Sequence, residues 1–260
     1  MKHHYIQPLA SAAIEFKSTF NASTFLEKSL ILKAIHQTHD VLDKINGFEV
    51  DIFEILGMRN LSAFIGELFA AEVVKNSEGF LLKNPHQDGY PDMLVMDEDG
   101  KRLWGELKFR LRDKQPFSPF PNGGIEVKAT CGSLPTPAFF VKKGLVKPQI
   151  GDQRIDFLTS YDWKAHHRDT NNLIGLLWDF FGGVPRIAAV FFCSDLSPTD
   201  WGEIIQPKEG GGRTTSVSIM PRSGVKKMYE GTVYVLENEK YITFLNKHNN
   251  GSIIQQAPEL

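Results

Sequence analysis

Apolar residues recur every three or four positions through residues 23–45 (STFLEKSLILKAIHQTHDVLDKI), behind a Ser/Thr start, which predicts an amphipathic helix. A second helix is predicted from about Leu61 to Lys75, opening after the capping residue Asn60. Gly79 releases FLLKN, long enough for one strand. PDMLVM and KRLWGELKFR flank the acidic turn DEDG, and apolar runs on both sides of an Asp-Gly turn predict a β-hairpin. RDKQPFSPFPNGG then interrupts as a loop, and IEVKAT restarts a short strand. NNLIGLLWDFF, between Asp169-Thr170 and Gly182-Gly183, reads as a buried helix. The continuous apolar run RIAAVFFCSDL reads as a central strand covered on both faces, and TSVSIM and GTVYVLEN as further strands. This order predicts an α/β fold, a mixed β-sheet flanked by helices. With no repeat or linker in view, residues 1–260 read as one domain: a helical part (1–59), a core (60–196) and C-terminal strands and loops (197–260).

Composition narrows the setting. The chain is 42% hydrophobic and 23% charged, enough for one substantial core. It shows no apolar run long enough to cross a membrane and no secretory leader, so a cytoplasmic protein with no membrane partner is expected. Cys131 and Cys193 have neither disulfide-framework nor zinc-site spacing. The net charge of -2 conceals an asymmetry: residues 1–100 carry 8 Lys and Arg against 15 Asp and Glu, whereas residues 101–260 carry 21 against 16. The second part is the better surface for phosphates.

Phosphodiester hydrolysis needs an anionic cluster to hold divalent cations and a cation near the phosphate and attacking water. Pro91-Asp92, Glu106-Leu107-Lys108 and Glu126-Val127-Lys128 supply such groups, and residues i and i+2 of a strand project from the same face. Two lysines compete. A hairpin turning at Glu98 to Lys101 would set Asp92 opposite Leu107, beside Glu106 and Lys108. IEVKAT has β-branched character, two preceding glycines and small residues after its lysine, which would admit a close backbone and favour Glu126 and Lys128. If IEVKAT pairs with the outer side of the WGELKF strand, Asp92, Glu106 and Glu126 share a face. Lys128 is taken as the catalytic lysine with Lys108 as the alternative, and Glu106 is kept as an acid of the site under either choice. Phe64, Glu67, Ala71 and Val74 recur at helical spacing, placing Glu67 on an apolar stripe where a carboxylate needs a metal-linked water or the lysine as partner.

A helix with a Glu, a strand, a Pro-Asp strand, a turn and a Glu-x-Lys strand resemble the PD-(D/E)xK nuclease superfamily, particularly type II restriction endonucleases. The resemblance covers residues 60–130 by motif, with the elements at 170–196 completing the core. It implies a restriction-endonuclease-like core and a Mg²⁺-dependent endonuclease cutting double-stranded DNA to leave 5′ phosphates. Asp92, Glu126 and Glu67 would be the metal residues, Glu106 would assist, and Lys128 would place the nucleophile. A homodimer is expected, since two-fold proteins match palindromic sites, with the acid-rich residues 23–59 in the contact. Lys164, His166, His167 and Arg168 would contact backbone phosphates, and Arg213, in the GGGRTT run, would reach a groove. That run lacks the lysine and helix of a P-loop, and His166-His167 lack the ββα unit of an HNH nuclease. His36 and His39 have ligand spacing but no third ligand, so they read as a surface helix. A structure-directed repair nuclease and a non-catalytic DNA-binding module are the alternative functions.

Overall fold

The protein is described from a computed structural model that covers residues 3–8, 13–18, 24–86, 88–166, 168–169, 171–207 and 216–254. Its elements run β1 (Tyr5–Ile6), β2 (Ala13–Phe16), β3 (Thr24–Glu27), α1 (Lys28–Asn46), α2 (Ile52–Asn76), β4 (Leu81–Lys83) and β5 (Met93–Val95). They continue α3 (Glu98–Leu107), β6 (Gly124–Thr130), α4 (Pro137–Lys143), β7 (Lys164–Ala165), β8 (Leu173–Phe181) and β9 (Val184–Cys193). The chain ends with β10 (Ser218–Ile219), α5 (Arg222–Glu230), β11 (Thr232–Leu236) and α6 (Glu239–Asn249).

Seven strands form a mixed sheet in the order β1-β11-β9-β8-β6-β5-β4, in which β6 and β8 are parallel and the other neighbours antiparallel. Helices flank it. Ile174, Leu176, Trp178 and Phe180 of β8 face one core with Ile31 and Ile35 of α1 and Leu61, Ile65 and Phe69 of α2. Leu173 and Leu177 face the other, with Val225 and Met228 of α5 and Tyr241 and Leu245 of α6. β8 and β9 are buried along nearly their whole length, and each fully buried large apolar side chain contributes about 1.5–3 kcal/mol.

Two elements differ in type from the sequence expectation, and α2 begins at Ile52 with Asp51 as its cap rather than at Leu61 after Asn60. NNLIGLLWDFF forms strand β8 over Leu173–Phe181 rather than a helix, because a mostly apolar run carries no clear period to distinguish the two. Gly182 and Gly183, both at positive φ (58° and 83°), form a two-residue hairpin loop into β9, the turn that Gly-Gly favours. Conversely, KRLWGEL is not the second arm of a hairpin but most of α3. Asp97 caps this helix by accepting the Gly100 N–H at 2.9 Å, and Glu98 and Asp99 sit in its positive first turn. Leu103, Trp104 and Leu107 then pack on Leu94, Met96, Phe117 and Phe120.

The end segments also differ in kind from what their patterns predicted. The described part of 1–59 includes three strands besides helix, with β1 closing the sheet edge on β11. Residues 24–27 pair with β2, so α1 starts five residues later than the pattern at 23 suggests. The segment 197–260 contains α5 and α6 in addition to strands. Among the described residues, no helix is long and apolar enough to cross a membrane.

Candidate active site

The site forms at the N-terminal end of β5. Met93 pairs with Ile125 and Leu94 with Gly124, so one step further Asp92 meets Glu126. The main chain of β5 does not continue the ladder beyond this point, and the Asp92 side chain does so in its place. Its Oδ2 accepts the Val127 N–H at 2.8 Å, while the Asp92 N–H donates to Glu126 Oε2 at 3.2 Å. Gly124 is required for this pairing, because a Cβ there would lie 1.9 Å from the Met93 carbonyl oxygen and 2.7 Å from Pro91 Cγ. Lys128, two residues beyond Glu126 and on its face, donates to Glu126 Oε1 and places its ammonium 3.9 Å from Asp92 Oδ2.

The opposite face of β6 turns Val127 and Ala129 toward α2, which comes close through Gly66. A cleft of about 230 Å³ opens at this notch, lined by Ser62, Gly66 and Glu67 of α2 and by Asp92 and Lys128. Asp92 and Lys128 remain partly accessible, with side chains 20% and 24% exposed. Glu126 is buried, and burial pushes its carboxyl up to about 7; the Lys128 charge acts the other way, and the Asp92 charge adds to the rise. Burial alone would lower Lys128, but the carboxylates of Glu126, Asp92 and Glu67 more than offset it and hold it above its usual range. Lys128 is therefore a fixed ammonium at working pH, a donor and counter-charge and not a base.

Asp92, Glu126 and Lys128 are thus brought together, as the IEVKAT reading required. Glu106 and Lys108 are not. Glu106 lies on α3, 64% exposed, 3.8 Å from Arg102, and Lys108 caps the same helix with its ammonium over the Phe109 ring. Their role rested on a strand that is a helix, and β6 pairs with β5 and β8 instead. Glu67 is not on a core-facing stripe: it is 60% exposed and pairs with Lys83 at 2.8 Å, which leaves it on the rim of the cleft. The stripe assignment failed because α2 turns Leu61, Ile65, Phe69 and Val73 inward.

Of the basic residues singled out, Lys164 is exposed and lines a neighbouring cleft. His166 Nδ1 donates to the Ser216 carbonyl at 2.7 Å, and Arg168 donates to the Pro198 carbonyl at 2.7 Å, so both tie loops together. His167 and Arg213 lie outside the described residues. His39 is buried rather than on a surface face; its Nε2 accepts the Ile187 N–H at 2.9 Å, and burial with the Arg186 charge drives it down to about 2. Arg59 lines the neighbouring cleft and was not singled out from sequence, where an arginine at the start of a helix has no distinguishing pattern.

Among the described residues no three of His, Cys, Asp and Glu converge as a metal-binding group. The donor set is two carboxylates. Asp92 Oδ1 has no hydrogen-bond partner among the described residues, and Glu126 is a buried acid whose ionisation an added cation would favour. Such a pair suits a hard, hydrated divalent ion such as Mg²⁺, which keeps several waters and takes only one or two protein carboxylates. Comparison with protein-family models, with curated proteins and with solved structures returned no match.

Proposed function

We propose that the protein is a Mg²⁺-dependent endonuclease of restriction-endonuclease-like fold that hydrolyses phosphodiester bonds in double-stranded DNA and leaves 5′ phosphates. The observation that carries this reading is the junction of Asp92, Glu126 and Lys128 at the notch between β5 and β6, with Asp92 and Lys128 lining an accessible cleft and Glu126 buried beside them.

Asp92 and Glu126 are the residues that would hold the ion, with Glu67 on the rim of the same cleft, paired with Lys83. When bound, Mg²⁺ supplies charge neutralisation at the phosphate and lowers the pKa of water. Lys128 keeps its proton and is placed to donate to the phosphate oxygen or to orient the attacking water, stabilising charge that grows in the transition state. The Val127 N–H fixes the Asp92 carboxylate, so the acid meets the substrate without reorganising. Glu106 and Lys108 take no part. A homodimer acting on a two-fold site remains part of the proposal.

The test is cleavage of plasmid DNA with Mg²⁺. Discrete bands are expected, with cleavage abolished by Lys128→Ala and retained by Lys108→Ala. A pattern set by DNA structure would favour a repair nuclease, and no cleavage with any divalent ion would leave a binding module. Loss in Lys108→Ala with retention in Lys128→Ala would overturn the site.

A further inference from the structure

Beside the notch lies a second cleft of about 320 Å³, which shares Ser62, Lys128 and Ala129 with the first and runs on along β6 to Ser133. The two are therefore continuous. Arg59, in the first turns of α2 beyond its kink at Gly57, and Lys164 of β7 both line it, and both are exposed. Among the described residues neither makes an ion pair within 4 Å. Asp162 is the carboxylate in the lining, and burial raises it above its usual range while the Lys164 charge acts against that rise. Two cations without an ion pair, Arg59 and Lys164, thus stand against one carboxylate, Asp162, in a cleft at the low end of ligand-sized volumes, while Lys128, paired with Glu126 and Asp92, marks its junction with the notch. Unpaired cations lining a groove that leads away from a phosphodiester site form a track for the neighbouring phosphates of the same strand.

Resting on the nuclease reading, we propose that this cleft is a phosphate subsite of the DNA strand being cut, with Arg59 and Lys164 as its two contacts, so that the strand leaves the notch along the C-terminal half of β6. The contacts position the backbone and carry no base information. Arg59 is the residue this adds to the site.

The test is duplex-oligonucleotide binding by fluorescence anisotropy with Ca²⁺ in place of Mg²⁺, at 50 and 200 mM salt, for the full chain and Arg59→Ala/Lys164→Ala. Each phosphate contact contributes about 0.9 to the slope of log affinity against log salt, so over this range the double variant should lose about 12-fold less affinity than the unaltered protein. Lys101→Ala/Arg110→Ala removes the same charge from residues paired with Glu98 and Asp113 and should keep the original salt dependence. Because both subsite residues are exposed, the variants fold, and matching thermal melts check this. An unchanged salt dependence in the double variant, an equal drop in the control, or no salt-dependent duplex binding by the unaltered protein would overturn the subsite. Cleavage is scored separately: cleavage with an unchanged salt response removes the subsite alone, and a reduced salt response without cleavage supports the subsite and removes the catalytic reading.

Discussion

Replacing Glu126 by Gln should invert part of the protein's pH response. In the unfolded chain Glu126 titrates near 4.5, whereas in the fold its burial raises it to about 7. Between these values the folded state holds a proton that the unfolded state has released, so stability falls as pH rises. At about 1.4 kcal/mol per pH unit, the loss over this window is about 3 kcal/mol, complete above pH 7 and absent below pH 4.5. Gln keeps the shape of the protonated acid, so the variant has the same packing without the titration.

The assay is urea unfolding of both proteins in EDTA across pH 4 to 8, read as the difference between them. That difference should rise in favour of the variant by about 3 kcal/mol between pH 4.5 and 7 and then level. The difference matters because His39 works in the opposite sense, folded at about 2 against 6.5 unfolded, and so conceals the Glu126 contribution in the raw profile. A difference curve that is flat, or that falls with pH, would refute the argument: the first would mean an unperturbed Glu126, the second an ion pair with Lys128 that outweighs burial.

Three further outcomes follow from the same geometry. His39→Gln keeps an acceptor for the Ile187 N–H but cannot titrate; the unaltered protein should lose about 1.4 kcal/mol for each pH unit below 6.5 relative to this variant, measured by the same unfolding series. Gly124→Ala drives a Cβ to 1.9 Å from the Met93 oxygen, so β5 must separate from β6; we expect a loss of about 2 kcal/mol or more in unfolding and loss of plasmid cleavage, and wild-type behaviour would show that the register is not needed. Mg²⁺ affinity, followed by calorimetry, should weaken about tenfold for each pH unit below 7, because Glu126 must release its proton to bind, and a pH-independent affinity would remove Glu126 from the ligand set.

How far the sequence could be read depended on whether a signal was local. The alternation in IEVKAT is local: Glu126 and Lys128 had to share a face once the segment was a strand, and it is one. The position of α3 was also present locally, in Asp97 as a cap, an acidic first turn, and Leu103, Trp104 and Leu107 at helical spacing. The Asp-Gly pair obscured it, since Gly100 suits a hairpin turn as well as a crowded helix start against the Val95 carbonyl. For β8 the Gly182-Gly183 pair was the available clue, and it outweighs the mostly apolar run beside it. Glu67 and Arg59 were different: whether a residue on α2 faces the core, the rim or a cleft depends on which neighbours the helix meets, and its own spacing does not say.

The notch itself explains why the proposed chemistry falls at this place in the sheet. A strand that continued past Met93 would have satisfied Val127 with a neutral carbonyl and sealed β6. Because an aspartate stands just before β5 at that point, the same N–H is satisfied by a carboxylate, whose other oxygen has no hydrogen-bond partner among the described residues. Backbone pairing thereby sets Asp92 against Glu126, and the two-residue period of β6 brings Lys128 to both. An anion pair held this way costs stability unless a cation joins it, which Lys128 only partly supplies at 24% exposure. With Glu126 ionised, two carboxylates stand against one ammonium, and the proposed divalent ion would relieve that imbalance.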